Sequence, residues 1–220
     1  MHHYIEALLT RQGMLLVAGN ALPLLGVLLA GWDAPTLVIL YWMETAILGF
    51  WVLVRVTIRP PEIAAKLAGT SSARPNGLGI GLFILAHAGI FMFVHLFILG
   101  GVMPGAWQQH LGSPMAFISG FVIPTGLWWS LAGLFIVHGL VTFEDMRAGL
   151  PGDGAVVGLY VRIFVMQLAI LLGGMLSLLL GSHLLLALLI VVKTGLEIWA
   201  ERAGASIALR IGKAAAERDG

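Results

Sequence analysis

No cysteine occurs in this sequence, and charge is scarce: Asp, Glu, Lys and Arg make up 10% of its 220 residues. The first absence excludes disulfides, thiolate metal sites, iron–sulfur ligation and cysteine nucleophiles. The second excludes an ordinary water-facing surface, because soluble domains carry about 25% charged residues. Neither sign of charge dominates. The formal net charge is +1, so nothing points to nucleic acid or to a strongly acidic partner. Several catalytic signatures are missing as well: no GxSxG element, no carboxylate-rich prenyl-diphosphate motif and no HExxH ligand pair. There is no internal repeat of the kind that builds inverted-repeat transporters. The opening MHHYIEALLTRQG lacks a small-residue cleavage site before the next apolar run and does not read as a signal peptide.

What is there is apolar. Hydrophobic residues make up 59% of the chain, and mean hydropathy is +0.97. The apolar residues fall into long runs at Met14–Gly31, Thr36–Thr57, Leu78–Val102, Met115–Phe143, Val156–Leu180 and His183–Ala200. Each approaches or exceeds the roughly 20 residues that cross a bilayer as a helix. The runs are continuous rather than alternating, which argues against strands. The expected fold is therefore all-α: a polytopic membrane bundle of about six transmembrane helices in one domain over 13–200. An interfacial segment at 1–12 precedes it, and an amphipathic or disordered tail at 201–220 follows. Pro23 and Pro124 lie inside spans, where proline kinks helices.

Orientation follows from the basic residues. Arg59, Lys66, Arg74 and Arg147 lie in the connections after the second and fourth runs, Arg11 precedes the first, and Arg202, Arg210, Lys213 and Arg218 follow the last. The other connections carry no Lys or Arg. The positive-inside rule then places both termini of a multi-pass membrane protein in the cytoplasm. Trp32 and Trp107 would sit at the outer interface and Trp199 near the inner one, as an aromatic belt.

Ionisable residues inside spans are costly, at about 2.5–3.5 kcal/mol each on insertion scales, and each is a candidate functional residue. They are Glu44, His87, His95, His138, Arg162, Lys193 and Glu197. A rise of about 1.5 Å per residue places them in depth. Glu44, His87 and Lys193 form a middle layer, His138, Arg162 and Glu197 an inner layer, and His95 stands about 12 Å beyond His87. Three chemistries fit. Glu44, His87, His138 and His95 are the candidate ligands for a transition metal; His87 and His95 are too far apart to share one ion, so a site would draw on several helices, for example His87 with Glu44 and His138, or His87 and His138 could hold a b-type haem. Glu44, His87, His95, Lys193 and Glu197, staggered in depth, could relay protons in a proton-coupled transporter. Arg162 could grip a lipid or isoprenoid phosphate with His138 as general base. Glu44, His138, Arg162, Lys193 and Glu197 are the catalytic candidates. Against these stands a purely architectural reading. In it, Lys193 and Glu197 pair with each other, Arg162 snorkels, Gln167 and Asn20 bind helices together, and Gly173–Gly174 packs closely. The chain would then be an assembly subunit with membrane-protein partners or a second copy of itself, set in membrane lipid.

The stretch LPLLGVLLAGWDAPTLVILYWMETAILGFW resembles the opening of a bacterial and archaeal membrane family, domain of unknown function 6498. FILAHAGIFMFVHLFILGG is similar to that family's two-histidine third span, VHGLVTF to a later histidine element, and RIFVMQLAILLGG with VVKTGLEIWAE to its closing spans. The resemblance covers roughly residues 20–201. It falls on Glu44, His87, His95, His138, Arg162, Lys193 and Glu197. It implies Asp where this chain has Glu197, and His where it has Gln167 and Glu201. The family brings no activity with it. On the residues, the leading expectation is a metal- or haem-binding membrane protein, alone or within a larger complex.

Overall fold

A computed structural model of the protein describes residues 11–61, 77–150 and 152–177. Among them all regular structure is helical: α1 (Arg11–Ala30), α2 (Ala34–Ile58), α3 (Gly77–Val102), α4 (Pro114–Phe117), α5 (Leu127–Arg147) and α6 (Asp153–Ser177). Local chemistry sets the ends. Gly31, at φ +67°, turns the chain out of α1 in the left-handed region that glycine enters without penalty. Asp33 caps α2 by accepting a hydrogen bond from the Thr36 amide at 2.9 Å, with Pro35 in the first turn. Pro60 and Pro61 follow its last residues and cannot continue it.

α2, α3 and α5 are long and apolar enough to cross a membrane. α2 is the hub and packs against α3, α5 and α6. It runs antiparallel to α3, since Trp42 Nε1 donates to the Met92 carbonyl at 2.9 Å while Gly81 lies beside Thr57. It runs parallel to α5. Trp32 Nε1 donates to the Thr125 carbonyl at 2.7 Å, and Trp51 Nε1 to the Phe135 carbonyl at 3.1 Å. It runs antiparallel to α6, with Thr45 beside Met166 and Gly49 beside Leu159. Much of α3 stays uncovered: Leu82, Phe83, Ile90, Phe93 and Phe97 are exposed.

The run expected as one span over Met115–Phe143 is not one helix. α4 continues into a π-helical turn at Ile118–Val122, and the chain then turns through 123–126 before α5 begins. Pro124 has no amide hydrogen to donate, and Gly126 takes φ +75°; together they end one helical stretch and start the next. Trp32 and Trp107 are buried side chains, 4% and 1% exposed, within the larger apolar core. That core joins them to Leu37, Leu40, Leu99, Leu127 and Leu134. A second core, of Val52, Val56, Ile84, Leu159 and Ile163, lies toward the other end of α2.

One close approach makes a prediction. A Cβ on Gly26 would lie 2.0 Å from the Trp32 ring, which is stacked on Trp129 at 5.5 Å. Gly26→Ala must therefore displace Trp32 from both Trp129 and Thr125. Overpacking of this kind costs about 1–3 kcal/mol. Thermal unfolding in detergent should show Gly26→Ala well below the parent. Gly89→Ala, where a Cβ meets nothing within 4 Å, should match or exceed it.

Candidate functional site

The boundary between the two cores holds a charged cluster. Glu44 projects from the middle of α2 and is 3% exposed. Its Oε1 pairs with the Arg162 guanidinium of α6. The same oxygen lies 3.5 Å from His138 Nε2 of α5. Three helices thus converge on one carboxylate oxygen. The arrangement follows from packing: among the described helices α2 packs against both α5 and α6, so one of its side chains can meet both.

The Arg162 pairing answers the cost of a buried carboxylate, since the two charges cancel. His138 is differently placed. Its Nε2 is buried and accepts or donates no hydrogen bond among the described residues. At 3.5 Å it is too far from Glu44 for a firm hydrogen bond and well within ion-pair range. A proton arriving on that nitrogen would turn an idle contact into a charge-assisted bond.

Arg55 and Asp145 form a second buried ion pair, between α2 and α5. Arg55 is 6% exposed. It lies about three helical turns beyond Glu44, and so on the same face of α2. This pair was not among the sequence candidates. Arg55 is inside the second apolar run, and its spacing from Glu44 was the available signal.

The remaining candidates stand elsewhere. His87 is exposed on α3, stacked on Phe83 with ring centroids 5.4 Å apart, and its Nδ1 shares a 2.8 Å hydrogen bond with the Tyr160 hydroxyl of α6. His95 is 3% exposed. Its Nδ1 donates to the Phe91 carbonyl at 2.8 Å, so the neutral ring carries its proton there and presents a bare Nε2. Among the described residues, no group of three or more His, Asp or Glu side chains is placed to hold a metal ion. The ligand set Glu44, His87, His138 and His95 is therefore not assembled as one site. Nor do His87 and His138 face a common partner: one turns to Tyr160, the other to Glu44. The two depth layers also merge, because the long side chain of Arg162 spans the axial offset to Glu44. For the same reason Arg162 pairs inward instead of snorkelling. Lys193 and Glu197 lie outside the described residues, as do the side chains of Asn20 and the Gly173–Gly174 pair.

Comparison with protein families yields a match over residues 5–218, nearly the whole chain, to a family of unknown function, DUF6498. The chain belongs to this family. The DUF6498 match extends the resemblance seen on short motifs to both ends of the sequence, and it includes every residue of the charged cluster. No curated protein matches the chain, and no solved structure does.

Proposed function

We propose that this protein is a proton-coupled membrane transporter in which Glu44, His138 and Arg162 form the proton-exchanging site. On this reading it crosses the bacterial cytoplasmic membrane about six times with both ends inside. Three lines support the membrane setting: the apolar lengths of α2, α3 and α5, the uncovered apolar face of α3, and the sorting of Lys and Arg to alternate connections.

One observation carries the proton reading. His138 Nε2 stands 3.5 Å from a carboxylate oxygen already paired with Arg162, with no hydrogen bond of its own among the described residues. The Arg162 guanidinium, which stays charged in a protein, faces the Glu44 carboxylate. Histidine is the side chain whose charge changes nearest physiological pH. Among the described residues the cluster brings together one carboxylate, one guanidinium and one imidazole. It takes up one proton between His138 and Glu44 and gains one charge. A site whose charge alternates by one in low dielectric changes its energy strongly with occupancy, and that difference can bias a helix packing. A fixed architectural pair needs no third, titratable member.

The test is proton flux into proteoliposomes bearing the purified protein, read with an entrapped pH dye. Wild-type protein should collapse an imposed pH gradient faster than empty liposomes. Glu44→Gln and His138→Gln should fall to the empty-liposome rate while remaining folded by size exclusion. Wild-type flux in both variants would reject the proposal.

A further inference from the structure

The cluster's surroundings are unequal at its two ends. Toward the Trp32 end the described layers hold several wholly buried leucines. Leu37, Leu40, Leu127 and Leu134 are each wholly buried, and Leu134 lies one turn before His138 on α5. Two buried polar groups at that end, His95 and Ser130, do not extend the cluster. His95 spends its Nδ1 on its own helix, and Ser130 Oγ has no hydrogen-bond partner among the described residues.

Toward the Arg55 end α5 adds a polar stripe beside the second apolar core. His138, Thr142 and Asp145 follow one another at helical spacing, so they share one stripe of α5. His138 and Asp145 both meet α2, so Thr142, 8% exposed, lies in the same interface between them. The axial steps are about 6 Å from His138 to Thr142 and about 4.5 Å from Thr142 to Asp145. Each is within the span of one bridging water. Beyond Asp145 come Arg147, Ala148 and Gly149, all exposed.

We infer that the charged cluster is reached by water and protons from the Arg55–Asp145 end only, along the α5 stripe His138–Thr142–Asp145, with the ion pair as its mouth. On the orientation given above, that end is the cytoplasmic one. The inference rests on the proton-exchange reading for its purpose, but its test does not depend on proton flux.

The chain has no cysteine, so single cysteines can be introduced without removing others. Thr142→Cys, Ser130→Cys and two exposed markers, Ala148→Cys and Gln109→Cys, would be treated in sealed vesicles with a small, charged, membrane-impermeant thiosulfonate from one face at a time. Thr142→Cys should react only from the face that labels Ala148→Cys, and Ser130→Cys from neither face. Reaction of Thr142→Cys from the Gln109→Cys face, or its protection from both, would overturn the inference, as would labelling of Ser130→Cys. If Thr142→Cys does not assemble, Thr142→Val and Thr142→Ser replace it, read by deuterium uptake at the His138 ring nitrogen. Uptake should slow with valine and hold with serine; equal rates would overturn the route. A labelled Thr142→Cys alongside unchanged flux in Glu44→Gln would keep the route and reject the transporter reading.

Discussion

Replacing Arg162 with leucine is expected to remove about 3–5 kcal/mol of stability, because it leaves the Glu44 carboxylate buried beside an apolar side chain. Glu44 is 3% exposed, so bulk solvent does not replace the guanidinium's charge. Proteins carry only about 5–15 kcal/mol of net stability, and a loss of this size should show as failure to accumulate in the membrane or a collapsed Tm in detergent. The informative comparison is the double variant Arg162→Leu with Glu44→Leu. Removing both charges discards both desolvation costs, and buried ion pairs replaced by apolar residues of similar volume are often no less stable. The double variant should therefore regain most of the lost Tm. It should not regain proton flux. Recovery of flux along with stability would make the pair architectural.

Arg55→Met is the second large effect. It breaks the pair with Asp145, and truncating one partner of a buried charge pair costs about 2–5 kcal/mol. The lower half of that range is expected here. The Asp145 side chain is 17% exposed against 4% for Glu44, and it lies near the end of α5, where water can reach it. Chemical unfolding of both single variants in one detergent should rank Arg162→Leu below Arg55→Met. The reverse order would mean that the Arg55 end is drier than the Glu44 level, which contradicts access from that end. Arg55→Met should also leave Thr142→Cys open to the thiosulfonate, since it removes the mouth and not the stripe.

The charges of the cluster were legible in the sequence because their cost in an apolar run does not depend on which helices meet. Glu44, His138 and Arg162 each stood out for that reason. Their meeting was not legible. Depth estimates assign each Cα to a layer, yet an arginine reaches across most of a layer spacing, so Arg162 finds Glu44 despite the offset. His87 illustrates the complementary limit. It shares the depth of the cluster's neighbourhood, but its azimuth on α3 turns it to Tyr160, and azimuth is fixed by packing rather than by run length. The apolar run from Met115 concealed a break for a related reason. Hydropathy is blind to the backbone, while Pro124 and the positive φ of Gly126 decide where α5 starts. Trp32 and Trp107 follow the commoner rule for large aromatics, burial against a core, once Gly26 leaves room for the Trp32 ring.

The most direct measurement is the protonation of His138 itself, by nitrogen-15 NMR of ring-labelled histidine in lipid, with the resonance assigned by its loss in His138→Gln. The account predicts that Nε2 passes from unprotonated to protonated as the buffer is taken from alkaline to acidic, and that Glu44→Gln displaces this transition. A His138 ring that keeps one protonation state throughout, identically in wild type and Glu44→Gln, would contradict it and leave the cluster a fixed ionic clamp.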